Sequence, residues 1–222
     1  MGSVDDPVLD GTDTHHLAHV LRLSDGETVT VTDGAGNWRA CRFRQRGDGP
    51  ALEPDGPVTA MARPAPELTV GFALVKRERT EWAVPKLTEL GVDRIVVLRT
   101  ARSVVRWDAQ RATASLERLR RVAREASMQS RRCWLPVVAG ICAPSDLRGA
   151  ALAEPGGAPP SLDRPQVLVG PEGGWAPEEL AAAAATVSLG DQVLRSETAA
   201  LAAAAILGAL RSRSVVEASR VG

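Results

Sequence analysis

The residues best suited to chemistry lie late in the chain. Gly170-Pro171-Glu172-Gly173-Gly174-Trp175 sets three glycines and one carboxylate in six residues. Such a loop tolerates unusual backbone angles and lets a ligand approach the main chain closely. Residues 189–198 (LGDQVLRSET) form a second loop that runs into a helix start. Ser196 or Thr198 can cap that helix, and its free N–H groups can meet a ligand. A tight strand-to-helix turn and an ordinary helix cap explain the same residues without any ligand. The phosphate cradle GxxxxGK[ST] is absent, and so is GxGxxG after the first buried strand. Nucleotide hydrolysis and a nicotinamide-dependent dehydrogenase both lose support.

Two further groups of residues stand out. Between Arg99 and Arg132 there are 10 arginines against Asp108, Glu117 and Glu125, with Trp107 among them and Trp134 just beyond. The arginines outnumber their possible i,i+4 partners, so a basic face suited to phosphate backbone is expected. All three histidines fall in His15-His16-Leu17-Ala18-His19. With no cysteine or carboxylate ligand set nearby they read as surface or packing residues, and no metal site is expected.

These loops need elements to hold them. Residues 1–66 read as β-rich. ETVTVT (27–32) alternates, DGAGN (33–37) is a turn, and WRACRFR (38–44) alternates again, which makes a hairpin. RPAP (63–66) breaks regular structure as a linker. From residue 67 apolar runs suited to buried strands, at 68–75, 94–98, 135–139 and 166–169, alternate with helical segments. One helix runs to Leu90 and either kinks at Pro85 or starts near it. A second covers about 108–127, with Leu116, Leu119, Val122, Ala123 and Ala126 on one stripe. Residues 177–186 form a third, 187–189 a short strand, and 197–211 an Ala-rich helix. Residues 143–165, rich in Pro, Gly and Ala, read as a surface excursion. The alternation specifies an α/β domain with a mostly parallel sheet, whose ligands bind beyond the carboxyl ends of the strands.

Composition sets the limits. The 222 residues suit one large domain or two small ones. Hydrophobic residues make up 44% and charged residues 24%, which excludes disorder as the main state. The 27 basic and 27 acidic residues cancel, which excludes a globally basic nucleic-acid binder but not a local basic face. All the basic residues but Lys76 and Lys86 are arginines; GC-rich codon usage and phosphate recognition both account for this. Cys41, Cys133 and Cys142 are too far apart for a zinc or disulfide framework. The N-terminal residues lack the apolar run of a signal peptide, and the longest apolar stretch is short of a membrane span. A cytoplasmic protein with no membrane contact is expected.

Taken together, the motifs resemble the RsmE family: ribosomal small-subunit RNA uridine N3-methyltransferases of the SPOUT superfamily. The resemblance rests on GPEGGW followed by LGDQVLRSETAALAAAAIL. It also rests on KRERTEWAVPKLTELGV, TARSVVRW and EASMQSRRCWLPVV in the middle, and on HHLAHVLRLSDGETVTVTDGAGNW near the start. It extends from about His15 to Leu210. Ser196 stands for the usual threonine and Trp175 for the usual phenylalanine.

The resemblance implies a SPOUT-type trefoil-knot domain at 67–222, preceded by a small PUA-like β-barrel RNA-binding domain at 1–66. It implies a homodimer acting on 16S ribosomal RNA or the small subunit, with S-adenosylmethionine as methyl donor and no metal. By motif, Val169, Gly170, Glu172, Gly173, Gly174, Leu189, Gly190, Leu194, Arg195, Ser196 and Thr198 hold the donor. Uracil N3 must lose its proton to become a nucleophile. Arg195 is the candidate for stabilising the uracil anion, and Glu172 and Glu197 are candidate proton acceptors. Arg22, Arg102, Arg106, Arg124 and Arg132 are the candidates for RNA phosphates. The alternatives are a knotted methyltransferase acting on another RNA, such as a transfer RNA, and a non-catalytic RNA-binding protein of the same fold.

Overall fold

The computed structural model describes residues 3–15, 17–18, 22–47, 49–75 and 77–214, with Thr12, His15 and Arg77 described in backbone only. His16 and His19 therefore lie outside the described residues, as does the side chain of His15. The chain forms two compact units. One comprises residues 1–63 with 132–135, the other 64–131 with 136–222.

In the first unit a short helix α1 (Gly11–His15) precedes four strands, β1 (Thr28–Thr32), β2 (Asn37–Arg46), β3 (Gly49–Pro54) and β4 (Thr59–Ala60). β2 pairs antiparallel with the other three. Alternation along β2 sends Cys41 and Phe43 inward, both fully buried, with Arg42 between them outside. The hairpin turn is organised by Asp33, whose carboxylate accepts the Ala35 N–H (2.7 Å), the Asn37 N–H (3.0 Å) and the Asn37 side-chain amide (2.7 Å). Burial disfavours the charge, but these donors outweigh it and hold the Asp33 carboxyl below its usual range.

Residues 132–135 complete this unit. The Gly36 N–H bonds to the Cys133 carbonyl and the Leu135 N–H to the Gly34 carbonyl, both at 2.9 Å. Gly36 has φ +98°, and a Cβ there would lie 2.4 Å from the Trp134 indole. The sequence set Trp134 just beyond the arginines of a basic face. In the structure its indole N–H bonds to the Met61 carbonyl at 3.0 Å, and the Arg63 guanidinium lies 5.5 Å from its ring centre.

The second unit is a six-stranded, wholly parallel sheet. Its strands are β5 (Thr69–Ala73), β6 (Arg94–Leu98), β7 (Val137–Cys142), β8 (Ala151–Ala158), β9 (Gln166–Val169) and β10 (Ala185–Val187), in the order β10-β8-β9-β5-β6-β7. Every residue of β5 is buried, as a strand covered on both faces requires. On one face Val70, Phe72, Ile95 and Val97 pack against α2 (Arg77–Glu89), α3 (Ala109–Gln129) and α5 (Ser196–Arg211). On the other, Val96, Leu98, Leu152 and Leu168 pack with Trp175 and, more peripherally, with Leu180 of α4 (Pro177–Ala182).

Four local expectations change. Residues 143–165 are not a surface excursion, because β8 runs through them as an interior strand with Ala151 and Leu152 buried. Its composition (ALAEPGGA) hides it, yet Gly157 is needed there: a Cβ would lie 2.6 Å from the Val187 backbone nitrogen. Of the two readings left open at Pro85, the helix contains it: α2 runs through it from Arg77 to Glu89. The helix expected over 177–186 stops at Ala182, and β10 takes 185–187 rather than 187–189. The third strand lies at 137–142 rather than 135–139, as an edge strand of which only Val138 is buried, since 132–135 serve the first unit.

The far end of α5 is fixed by charge. Arg211, nearly buried, forms an ion pair with the buried Asp93 and donates to the carbonyls of Pro66 (3.2 Å) and Gly91 (2.7 Å). Asp93 also accepts the Leu68 N–H at 2.9 Å. One guanidinium thus joins the last turn of α5 to the segments entering β5 and β6. Arg211→Met leaves the Asp93 carboxylate buried without that cation and is expected to cost about 3–5 kcal/mol. Urea unfolding should show a lower midpoint at unchanged slope.

Candidate functional site

Because the sheet is parallel, the carboxyl ends of its strands share one edge. β9 delivers the glycine-rich loop at Gly170, β10 delivers the second loop at Ser188, and β8 delivers Ala153 and Glu154. Together they wall a cavity of about 390 Å³, within the size range of small-molecule sites.

Of the residues singled out by sequence, Val169, Gly170, Glu172, Gly174, Leu189, Gly190, Leu194, Arg195 and Ser196 line this cavity. Gly173 and Thr198 do not line it, although both sit in the segments that do. Gln192 and Val193, inside the second loop but not named individually, line it as well, and so do Ala153, Glu154 and Pro155, which carried no signal. These last three lie on the strand that composition concealed.

The cavity wall is held by a few directed bonds. Ser196 is not the cap of α5. Arg195 occupies the cap position without a side-chain hydrogen bond to the helix, and the Ser196 hydroxyl donates to the Gly170 carbonyl. The two loops are thereby joined, and the first-turn N–H groups of α5 keep no side-chain cap. The buried Trp175 indole donates to the Ala153 carbonyl at 2.9 Å and lies so close that a Cβ on Gly170 would be 3.0 Å from it. The Pro171 carbonyl accepts the Gly174 N–H at 2.8 Å, closing a turn that places Gly174 at φ +71°. Glu179 accepts the N–H groups of Ala176 and Ala101, both at 2.9 Å, and so ties α4 to the loop after β6.

Two arginines grip the same loop. Arg102, a candidate for RNA phosphate, donates to the Gly173 carbonyl at 3.0 Å. Arg79, to which the sequence assigned no individual role, lies 3.1 Å from Glu172 and 3.5 Å from Glu197. Glu172 is half-exposed in the cavity wall, whereas Glu197 is buried in the first turn of α5. Arg195 is exposed at the cavity.

The arginines proposed for RNA fall in both units, Arg22 and Arg132 in the first and Arg102, Arg106 and Arg124 in the second. Within the basic helix, Arg118 is engaged by Glu81 at 2.8 Å and Arg120 donates to the Val138 carbonyl at 3.3 Å. All three cysteines are free thiols whose pKa is pushed up, chiefly by burial. No cluster of three metal-ligating side chains occurs among the described residues, and no helix among them is long and apolar enough to cross a membrane.

A parallel α/β sheet with a glycine-rich cavity at its carboxyl edge is the arrangement in which α/β domains take small ligands. Comparison with known proteins narrows this. Residues 63–208 match the RNA methyltransferase domain family, and residues 9–50 match the RNA methyltransferase PUA domain. The chain is 36% identical to ribosomal RNA small subunit methyltransferase E of Mycobacterium bovis, over 96% of this chain and 89% of that protein. It is 33% identical to the protein of the same name from Synechocystis, over 88% and 70%.

Among solved structures, a probable rRNA-methyltransferase from Porphyromonas gingivalis superposes with a TM-score of 0.75 at 30% identity, covering 93% of this chain and 94% of that one. The Neisseria gonorrhoeae ribosomal RNA small subunit methyltransferase E, solved with S-adenosyl methionine bound, gives a TM-score of 0.75 at 27% identity, covering 91% and 90%. The chain belongs to the ribosomal RNA small subunit methyltransferase E family of RNA methyltransferases.

Ser196→Ala leaves the Gly170 carbonyl without its hydroxyl partner. Loss of about 1 kcal/mol of stability is expected, read by chemical denaturation.

Proposed function

We propose that this chain transfers a methyl group from S-adenosylmethionine to N3 of a uridine in 16S ribosomal RNA of the small subunit. The observation that carries the reading is the cavity. Two motifs on either side of α4 and β10 meet to form its wall, in a chain that matches small-subunit ribosomal RNA methyltransferases over nearly its whole length.

The residues present fit the donor. The cavity has the size for it, Gly170 and Gly174 give backbone access, and α5 opens on the cavity with uncapped N–H groups. Val169, Gly170, Gly174, Leu189, Gly190, Leu194 and Ser196 would hold it, with Gly173 and Thr198 as supports. When bound, it supplies a methyl group already activated on a sulfonium, so the chain needs no metal to activate that group. The protein has two tasks: to bring the base in line with the methyl group, and to favour the uracil anion over the neutral base.

Arg195 is exposed at the cavity, and in this reading it meets O2 or O4 of the base as negative charge develops there. Of the two carboxylates, Glu172 lines the cavity and Glu197 is buried behind it, so reach favours Glu172 as proton acceptor. Arg22 and Arg132 of the PUA-like unit and Arg106 and Arg124 of the second unit engage RNA phosphates, whereas Arg102 is taken by the Gly173 carbonyl. The working form is a cytoplasmic homodimer with the trefoil-knot topology of its family.

Methylation of unmodified small subunits, with nucleosides read by mass spectrometry, should yield N3-methyluridine only when enzyme and donor are both present. Donor binding without product would favour another RNA target or a non-catalytic RNA-binding protein. Arg195→Ala should lower kcat by about 10²–10³-fold, and undiminished turnover rejects its role. Arg106→Gln with Arg124→Gln should flatten the slope of log K against log salt by about 1.4. An unchanged slope removes them from the RNA surface.

A further inference from the structure

Glu172, Arg79 and Glu197 form a three-membered charge cluster that fold stability alone does not explain. An ion pair as exposed as Arg79 with Glu172 contributes little by itself, about 0–1 kcal/mol. Glu197 is 8% exposed, and its Oε2 has no hydrogen-bond partner among the described residues. A buried carboxylate left partly unsatisfied costs stability, and such a group calls for an explanation in function.

The elements bring these residues together from three places. Arg79 lies in the first turn of α2, just past the carboxyl end of β5. Glu172 follows β9, and Glu197 opens α5. All three belong to the edge of the sheet that carries the cavity.

Charge arithmetic gives the cluster a direction. Two carboxylates share one guanidinium, so the group carries a net charge of −1. Nη1 of Arg79 faces Glu172 and its Nε faces Glu197. If Glu172 takes up a proton, Arg79 keeps Glu197 as its counter-ion and the cluster becomes neutral.

We infer that Arg79 is a positioning residue for methyl transfer, anchored by the buried Glu197 and aiming the Glu172 carboxylate at the N3 proton of the substrate uracil. The inference rests on the function proposed above. In the step it serves, the uracil N3–H bond breaks and an O–H bond forms on Glu172. The N3 electron pair then takes the methyl group, and the sulfonium electron pair returns to sulfur as a neutral thioether. Glu172 is exposed enough to give its proton back to water. A lysine cannot replace Arg79, because a point charge does not present two donors to two carboxylates at fixed angles.

The experiment is single-turnover methylation of small subunits, with donor affinity measured in parallel by calorimetry. Arg79→Ala should slow methyl transfer about 10–100-fold while the Kd for S-adenosylmethionine stays within about twofold. Arg79→Lys should recover little of the rate. Glu172→Gln, which keeps the Arg79–Glu197 pair and so the anchored start of α5, should be at least as slow as Arg79→Ala. The double variant Arg79→Ala/Glu172→Gln should be no slower than Glu172→Gln alone, because Arg79 acts through Glu172.

Additive losses in the double variant, a donor Kd that rises as much as the rate falls, or full rescue by lysine would each overturn the inference. If Arg79→Ala fails to fold, Glu172→Gln decides: an undiminished rate overturns the inference. Product from the wild-type enzyme with no loss in these variants rejects this inference alone. No product from the wild-type enzyme on any RNA rejects the proposed function with it.

Discussion

The cavity depends on how closely α5 returns across the sheet. The chain leaves β10 at the outer edge of the sheet and comes back to lay α5 over β9 and β5. Only small side chains permit that approach. Ala199, Ala200, Ala203 and Ala204 face the sheet and are buried, with Leu207 filling the space beyond them. Gly208 lets the helix pass the Leu90 carbonyl, where a Cβ would lie at 3.1 Å. With the helix seated, its first turn lies at the carboxyl end of β9, and Ser196 reaches the Gly170 carbonyl. Arg211 fixes the opposite end through Asp93. A bulkier residue on the alanine face would lift the helix and separate the two loops that make the wall.

The glycine-rich loop is held from several sides. Arg102 takes its Gly173 carbonyl, Trp175 packs under Gly170, Ser196 takes the Gly170 carbonyl, and Arg79 takes the Glu172 carboxylate. Glycine makes such a loop adaptable in the unfolded chain, so its shape in the fold has to be imposed by neighbours. A wall fixed before the ligand arrives loses less conformational entropy on binding. The pattern also explains why several arginines of this chain are not available as a uniform basic surface. Arg79, Arg102, Arg118, Arg120 and Arg211 each have a partner inside the protein.

The first unit obeys a comparable constraint on a smaller scale. Its hairpin turn is set by Asp33 and by two glycines at positive φ, Gly34 and Gly36. Residues 133–135, distant in sequence, bond along that turn, with the Trp134 indole against Gly36. Cys133 and Trp134 are thus structural members of the PUA-like unit, although they follow α3 in the chain.

Much of this was written in the sequence, where the determining forces are local. Period-two alternation marked β1 and β2, and continuous apolar runs marked β5, β6 and β9. The i,i+3,i+4 stripe marked α3, and glycine spacing pointed to the loop after β9. Each pattern reports a constraint that a residue shares with its near neighbours. Strand β8 escaped because a strand tightly flanked by others can be built of Ala, Gly and Pro, which lack the β-branched signature. The end of α4 escaped because a run of alanines carries no stop signal. Arg79 was one arginine among 25. Which carboxylates it meets depends on three segments that converge only when the parallel sheet aligns the ends of β5 and β9 and α5 crosses over them. Composition and periodicity therefore determined the layers and the loop chemistry. The tertiary structure alone decided which charges face one another, because ion pairs between distant segments depend on distances that no local pattern encodes.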